Sequence, residues 1–331
     1  MREGHRFGVL STIVLVLAAA IAAAPDFAVS NQGSTSIIPT LEATPLPELA
    51  GGSNVTGGGG NWQAGIVLSG RTREAAGPWK ACVWSIVSEW PWNRFDLPSL
   101  NATLSSGALI AGLAPSDSDT VIVAAGFSYL TQNSMKPIVW HKSMNDTQWT
   151  TTPLPTLAGL EGAVLSIIDD EGSVQGILGE ESNDLVGWSS ATGPVDKAVL
   201  WTPGGDGGWV VRMLLHYAPG LPGRAHDGFV SAAEETTVCG WALSSEGDTS
   251  AVLWKKSTAA WTMTALPLLE GGTQGMANSI FGDGGHDLVG WSENAAGEHR
   301  GVLWYYDGVW HIEELDQPVG FVQSVPILGD S

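Results

Sequence analysis

The hydrophobic positions of this chain fall into short runs that are separated by glycine and carboxylate clusters. In the stretch 275–310, for example, the runs SIF, LVGW and GVLW are set apart in this way. Runs bounded by such clusters are typical of β-strands, because a helix needs ten or more residues with a 3.6-residue period. With residues 310–315 added, the stretch predicts a unit of four strands.

The same pattern recurs along the chain. DLVGWS occurs at 287–292 and nearly unchanged at 184–189, and weaker copies are TVCGWA at 237–242 and VAAGFS at 123–128. A run resembling AVLW ends at Trp84, Trp140, Trp201, Trp254 and Trp304, and another Trp follows each of them after six to nine residues. A repeat of about fifty residues predicts one domain of several similar units.

The first strand of a unit begins with glycine, as in GALIAGL, GAVLSII, GFVSAAE and GMANSIF, and one further copy, GFVQSVP at 320–326, stands alone. In the opening unit the aligned position holds four consecutive glycines at 57–60, which predict a poor strand because they have no side chains to pack. We therefore expect the C-terminal copy to complete the first sheet and close a ring. The units are then 64–98 completed by 320–326, 107–155, 162–215, 228–267 and 275–315.

This count of strands and units favours an all-β fold, a five-bladed β-propeller built from four-stranded repeats, with residues 45–331 as a single domain. Six blades and a β-solenoid are the alternatives. The glycine shared by the second strands is expected to allow the close approach of a neighbouring sheet, and the Trp that ends the third strand to fill the outer gap.

These repeated motifs carry a resemblance to a known family. The order of motifs within a unit resembles that of the HAF family of probable extracellular repeats, which occur in secreted bacterial proteins. The order is S-x-A or A-x-S-I, a short acidic turn, VGWS, A-V-L-W, Trp and LPxLxGG. The resemblance covers nearly all of the chain from Leu46 onward and is clearest in the third and fifth units. It implies secretion and a propeller-like fold, and it supplies no catalytic residues. The chain departs from the family pattern where Asp and Glu mostly replace Asn and Gly in the turn after the first strand.

The N-terminal segment predicts export. A basic start, MREGHR, precedes the apolar run 7–24, and a small-x-small site at Ala28 and Ser30 comes before Asn31. This order is typical of a secretory signal peptide over residues 1–30, followed by a flexible leader over 31–44. An uncleaved membrane anchor is the alternative, since eighteen apolar residues could just span a bilayer.

The formal charge of −20 narrows the set of partners. Such a surface repels phosphate backbones and anionic lipid headgroups, so neither nucleic acid nor, after signal cleavage, a membrane is expected as a partner. An extracellular glycan or protein is the expected ligand, and the protein is expected to be a monomer. The two cysteines, Cys82 and Cys239, lie within strand runs and predict buried, unpaired thiols.

Acidic residues cluster in the turns between first and second strands. In a propeller these turns share one face, so Asp169, Asp170, Asp283 and Asp287 are the candidate ligands for a metal ion, and calcium is the ion that oxygen ligands of this kind would bind. The turns lack the alternating D-x-D-x-D-G ligands, and Asp commonly stabilises a turn through its own backbone. No cofactor is therefore expected. The histidines show no HxH or HExxH spacing and are expected in turns or on the surface.

Thirteen of the sixteen tryptophans occupy repeated strand positions and predict core packing. Trp62, Trp79 and Trp92 fall outside those positions, all in the first unit, and are the candidate ligand contacts. The sequence shows no catalytic constellation, so a secreted, non-enzymatic binding module is the expected function. The alternative is a carbohydrate-active hydrolase, which would need two or three carboxylates facing the channel.

Overall fold

The computed structural model describes residues 53–59, 66–86, 93–116, 119–143, 146–157, 161–167, 169–170, 184–190, 195–205, 207–230, 235–257, 260–281 and 286–316. Regular secondary structure in these ranges consists of β-strands arranged in five sheets. The signal peptide and leader predicted over residues 1–44 lie outside them. Within the described part of the chain, no helix has the length and apolar character needed to cross a membrane.

Each sheet is formed by strands that follow one another along the chain and pair with antiparallel neighbours. Sheet 1 contains β1 (Ser53–Gly59), β2 (Ile66–Thr72), β3 (Lys80–Ile86) and β4 (Asn93–Asp96). Sheet 2 contains β5 (Ser106–Ser116), β6 (Asp119–Thr131), β7 (Ser134–Ser143) and β8 (Thr150–Pro153). Sheet 3 contains β9 (Gly162–Ile167), β11 (Leu185–Ser190), β12 (Asp196–Pro203) and β13 (Trp209–Met213).

The last two sheets repeat this plan. Sheet 4 contains β14 (Gly223–Val230), β15 (Thr236–Leu243), β16 (Thr249–Ser257) and β17 (Ala260–Ala265), and the two-residue strand β10 (Asp169–Asp170) pairs with β14 in parallel. Sheet 5 contains β18 (Gly275–Phe281), β19 (Asp287–Glu293), β20 (His299–Tyr306) and β21 (Trp310–Glu314). The sequence prediction of an all-β chain with repeated four-stranded units is confirmed.

The sheets pack face to face in chain order. Four hydrophobic clusters lie between sheets 1 and 2, 2 and 3, 3 and 4, and 4 and 5. The first strands of consecutive sheets also contact one another, which places β1, β5, β9, β14 and β18 on a common inner side. The arrangement is a propeller-like repeat fold.

Each third strand continues two or three residues past the tryptophan of its AVLW-like run, and this tryptophan is fully buried, which confirms its predicted core role. Four of these indoles also donate a hydrogen bond of 2.7 Å to a carbonyl in the linker that leaves the preceding sheet. The pairs are Trp140 Nε1 to Pro98 O, Trp201 Nε1 to Pro155 O, Trp254 Nε1 to Leu215 O and Trp304 Nε1 to Pro267 O. Each tryptophan therefore packs one sheet against the next and also satisfies a carbonyl between strands.

The glycine of the second strand has a different role from the predicted one. In every sheet the first strand contains a β-bulge beside the residue that pairs with this glycine. A Cβ atom at Gly290 would lie 2.0 Å from the carbonyl oxygen of Met276, and the other four glycines meet a first-strand carbonyl at 2.1 or 2.2 Å. The close approach therefore comes from the bulged strand of the same sheet, and not from a neighbouring sheet.

The glycine run of the opening unit forms a strand, contrary to the prediction. β1 pairs with β2 from Ser53 to Gly59, with the bulge between Val55 and Gly57. The Thr56 hydroxyl donates a hydrogen bond to the Ala108 carbonyl of β5, which ties β1 to the next sheet. Main-chain pairing thus compensates for the missing side chains, and sheet 1 has four strands of its own. The C-terminal copy at 320–326 lies outside the described residues.

The first strand of the fourth unit was also assigned to the wrong segment. The sequence pattern favoured GFVSAAE at 228–234, whereas β14 begins at Gly223 and pairs Ala225 with Gly240. The equivalent pair in sheet 5 is Ala277 with Gly290. The polar residues of GRAHDGFV, which obscured the hydrophobic pattern, therefore belong to the strand itself. Both cysteines are buried and unpaired, as predicted.

Candidate functional site

A cluster of polar side chains joins the inner strands of sheets 4 and 5. His226 occupies the bulge of β14 and Asn278 the bulge of β18, and His226 Nδ1 lies 3.2 Å from Asn278 Oδ1. The next residue of β14, Asp227, accepts hydrogen bonds from the hydroxyl of Ser279 (2.7 Å) and the backbone N–H of Ile280 (3.0 Å) through Oδ2. Its other oxygen, Oδ1, accepts from the N–H of Gly228 at 2.9 Å.

Burial sets the protonation states in this cluster. Desolvation lowers the pKa of His226 to about 4, although its contact with Asn278 acts in the opposite direction. The thiol of the neighbouring Cys239 is fully buried, and desolvation raises its pKa well above the ordinary value. At neutral pH the imidazole and the thiol are thus both uncharged, and the cysteine is not a nucleophile.

The carboxylate of Asp227 acts as a tie between two sheets. Its two oxygens accept three hydrogen bonds, two of them from β18, so a large part of its acceptor capacity is already used. A glycoside hydrolase needs a pair of carboxyl groups about 5–10 Å apart. Among the first-strand side chains that the structure describes, Asp227 is the one carboxylate. Histidine and aspartate on an inner strand were missed because the fourth unit was aligned five residues too late.

Trp79, one of the three predicted ligand contacts, lies just before β3 and is half-buried. The guanidinium carbon of Arg71 is 4.8 Å from the centroid of its ring, and that of Arg73 is 4.7 Å from it. Both distances are within the range of a cation–π interaction. Sequence analysis found the tryptophan but neither arginine. The signal was available, since Arg71 stands where the other units carry Phe or Trp after the glycine.

Equivalent positions in sheet 3 show how an arginine stacked on a tryptophan can be paired with a carboxylate of the same protein. Trp188 follows the glycine of β11, and the guanidinium of Arg224 stacks on its ring at 4.7 Å. Asp196, which occupies the register position of Trp79, accepts a hydrogen bond from Arg224 Nε at 2.9 Å. An aromatic ring, a cation and a carboxylate thus form a closed set between sheets 3 and 4.

Sheet 5 forms a second closed set. The ring of Trp291 stacks on that of His299 with centroids 3.9 Å apart, and Trp291 is only 8% exposed. The Trp79 patch, which we define as Arg71, Arg73 and Trp79, combines two guanidinium groups with a half-exposed ring. Of the three arrangements, it is the one with two arginines on one ring.

The other predicted site residues are not assembled into a site. Trp62, Trp92 and Asp283 lie outside the described residues. Asp169 and Asp170 form β10 beside the end of β14, and Asp287 begins β19 and is half-buried. In the ranges that the structure describes, no three His, Cys, Asp or Glu residues form a group that could hold a metal ion.

No protein-family model matches this chain, and no curated protein matches it. Among solved structures, it is similar to AofleA from Arthrobotrys oligospora, with 13% identity, a TM-score of 0.46, and coverage of 81% of this chain and 73% of that one. It is also similar to the Hadza microbial sialidase Hz136, with 11% identity, a TM-score of 0.41, and coverage of 70% and 53%. Bacillus subtilis levansucrase shows 8% identity, a TM-score of 0.38, and coverage of 87% and 93%. Likeness at this level carries no argument about function.

Proposed function

We propose that this protein is a secreted, non-enzymatic binding module built on a closed five-bladed β-propeller, with a glycan, surface polymer or protein as its ligand. One observation carries the binding role: in the Trp79 patch two guanidinium groups stack on one half-exposed indole ring, whereas sheet 3 places one arginine and sheet 5 one histidine on the equivalent tryptophan. Aromatic rings and arginines dominate binding surfaces because they combine apolar area with directed hydrogen bonds. Membership of the HAF family, secretion and a monomeric state stay predictions.

Closure of the ring is supported by the burial of sheet 1. Val67, Ala81 and Val83 face sheet 2, so Trp84 and Cys82, which alternate with them, face the opposite side. Both are nevertheless 0% exposed. In a closed ring, the C-terminal part of the chain covers that face.

The hydrogen bond from the buried tryptophan to the preceding linker, which sheets 2 to 5 share, also suggests which contact closes the ring. Each acceptor follows a leucine whose N–H donates to the third strand, as Leu266 does to Ala251 O before Pro267. In sheet 5 the equivalent leucine is Leu315, whose N–H donates to Gly301 O at 2.8 Å. We therefore propose that a carbonyl just after Leu315 is the acceptor for Trp84 Nε1.

The experiment that tests the binding role is a glycan array combined with a reducing-sugar assay on a polysaccharide panel, both with the mature protein. Binding without release of reducing sugar supports the module. Release of reducing sugar that is lost in Asp227→Ala supports the alternative, a carbohydrate-active hydrolase with Asp227 as one of its carboxylates, and overturns the non-enzymatic role. Export is tested separately by N-terminal sequencing, which should begin near Asn31.

A further inference from the structure

Three aromatic rings form a row on the face of sheet 5 that is directed towards sheet 4. Tyr306 is the cross-strand partner of Trp310, with ring centroids 5.2 Å apart, and the ring of His286 lies 5.6 Å from that of Tyr306. Trp304, two residues before Tyr306 on β20, belongs to the hydrophobic cluster between sheets 4 and 5, so Tyr306 is directed towards sheet 4 as well. We call His286, Tyr306 and Trp310 the Tyr306 row. Tyr306 is 42% exposed, so the row borders solvent at the outer end of the space between the two sheets.

In the space between sheets 1 and 2, a ring from the preceding sheet takes the corresponding position. Phe95 of β4 contacts Trp149 with ring centroids 6.3 Å apart, and the ammonium of Lys142 lies 4.8 Å from the centroid of the Phe95 ring. Counted from the residue that pairs with the second-strand glycine, Lys142 and Trp149 are the counterparts of Tyr306 and Trp310. The fold therefore accommodates a six-membered ring at this point between two sheets.

Between sheets 4 and 5 the counterpart of Phe95 is Thr264. Phe95 pairs with Val83 and Thr264 pairs with Leu253, and these two partners hold the same register position relative to the second-strand glycine. Leu253 belongs to the cluster between sheets 4 and 5, so Thr264 faces sheet 5. A threonine side chain is much shorter than a phenylalanine ring, and Thr264 is exposed. Sheet 5 thus has the aromatic wall, whereas sheet 4 supplies a hydroxyl in place of the ring.

The wall of sheet 4 that faces the row is polar. Thr262 lies two residues before Thr264 on β17, faces the same way and is also exposed. Lys255 pairs with Thr262 and forms an ion pair of 2.6 Å with Glu235. The Thr262 hydroxyl donates to the Lys255 carbonyl at 3.2 Å, and its oxygen keeps the capacity to accept. An entirely apolar partner would desolvate these groups without replacing their hydrogen bonds, which costs free energy. A ring that suits this position therefore has an apolar face and polar substituents at its edge.

We propose that the Tyr306 row and the threonines opposite it form a second binding site, which takes the pyranose rings of a neutral polysaccharide. The inference rests on the proposed binding function and does not involve the Trp79 patch. A pyranose with equatorial substituents places its C–H face on an aromatic ring and directs its hydroxyls to polar groups at the edge. Carboxylated and sulfated polymers are disfavoured, because the chain has a formal charge of −20.

The test follows the indole N–H signals of the full mature protein, labelled with ¹⁵N-tryptophan, during titration with cellohexaose, a neutral chain of equatorial pyranose rings. We expect the Trp310 signal, assigned from its loss in Trp310→Phe, to shift and saturate. The Trp149 signal should not move, because Phe95 already packs against its ring. Tyr306→Leu should weaken the affinity by about fivefold or more, the effect expected for a lost aromatic stack.

Thr264→Phe copies into sheet 4 the ring that sheet 1 has at this position, so it should abolish the Trp310 shift while the protein stays folded. Thr152→Phe is the matched control, because Thr152 holds the same register position in sheet 2 and should leave the shift unchanged. A Trp310 signal that does not respond to cellohexaose, or that responds equally in Thr264→Phe, would overturn the site.

The remaining outcomes separate this site from the binding module itself. A stronger response of Trp310 to N-acetylphenylalaninamide than to cellohexaose would overturn the sugar ligand in favour of an aromatic side chain of a protein. Cellohexaose binding that is lost in Trp79→Leu and unaffected in Tyr306→Leu would overturn the second site and leave the binding module standing. Failure to bind any glycan on the array would overturn the glycan ligand of the module and this site with it.

Discussion

At the scale of the residue, the indole N–H groups show how one atom can hold two repeats together. Trp140 Nε1 donates at 2.7 Å to the Pro98 carbonyl, and Trp140 is 0% exposed. Trp140→Phe keeps an aromatic ring but leaves this carbonyl without its donor. We expect the free energy of unfolding to fall by about 1–3 kcal/mol, the cost of an unsatisfied buried polar group. Urea denaturation measures the change.

The control for this variant is Trp261→Phe, at a half-buried position of the outermost strand of sheet 4. Trp261 packs against the cluster between sheets 3 and 4 without being fully enclosed. We expect a smaller loss there. An equal loss at both positions would show that ring size, and not the hydrogen bond, accounts for the effect.

A second residue-scale prediction concerns pH. Both ring nitrogens of His216 are buried without a described hydrogen-bond partner, and burial, with the nearby charge of Lys197, lowers its pKa to about 4. The unfolded chain has an ordinary histidine pKa of about 6.5, so it binds more protons than the folded state between these values. The stability associated with a neutral His216 is therefore fully present above about pH 6.5 and is lost as the pH falls towards 4.

The measurement is the urea midpoint at pH 7.5 and at pH 5 for the wild type, His216→Phe and the exposed-site control His286→Phe. We expect the loss between the two pH values to be smaller in His216→Phe than in the other two proteins. Burial raises the pKa of Asp184 to about 6, which stabilises the fold as the pH falls, so only the difference between variants is informative. Identical slopes in all three proteins would contradict the assignment.

At the scale of the element, the bulged first strand and the glycine beside it form one structural device. A Cβ atom at Gly290 would meet the Met276 carbonyl at 2.0 Å and Ala277 Cα at 2.9 Å, both of them backbone atoms that cannot move aside alone. Gly290→Ala should therefore cost about 3 kcal/mol, as overpacking of a buried site does. Thermal denaturation of the variant measures it.

Gly205→Ala is the matched control, because nothing lies within 4 Å of the added methyl group and the backbone is not in the left-handed region. This substitution should change stability by less than about 0.5 kcal/mol, as expected for a surface position. If Gly290→Ala were equally mild, the bulge would have to relax without cost, and its recurrence in all five sheets would need another explanation.

At the scale of the whole molecule, the proposed closure of the ring can be tested at Trp84. If a carbonyl just after Leu315 accepts its hydrogen bond, as proposed, we expect Trp84 Nε1–H to exchange slowly with solvent, as Trp140 Nε1–H does. A truncation after residue 315 removes that carbonyl and should accelerate exchange of the Trp84 indole while leaving that of Trp140 unchanged. NMR of protein with ¹⁵N-labelled tryptophan measures both indoles.

A second truncation, after residue 319, separates the two closure hypotheses. It keeps Asp316 and removes the strand copy at 320–326, which sequence analysis placed in sheet 1. Loss of several kcal/mol of stability on this truncation alone would support closure by the C-terminal copy, at the usual value for buried apolar side chains. Protection of Trp84 in both truncations would contradict closure through the carbonyl proposed just after Leu315.

The candidate site was predictable only in part. Trp79 was identified because it breaks the repeat, and its chemistry became visible only when Arg71 and Arg73 were found against its ring. One arginine lies in β2 and the other follows it, so no spacing rule places both on the same indole. Asp227 was missed because hydrophobic pattern locates apolar strands, whereas β14 carries Arg, His and Asp among its residues.

The sequence by itself determined the strands, the five-fold repetition and the buried tryptophans, because side-chain period and apolar run length are local properties of the chain. Only the tertiary structure decided which strand occupies each inner position. The glycine run of β1 forms a strand because β2 and the Ala108 carbonyl supply partners that its composition does not reveal. The role of the second-strand glycine was likewise decided by a bulge on its neighbour, and backbone proximity of that kind has no signature in a single segment of sequence.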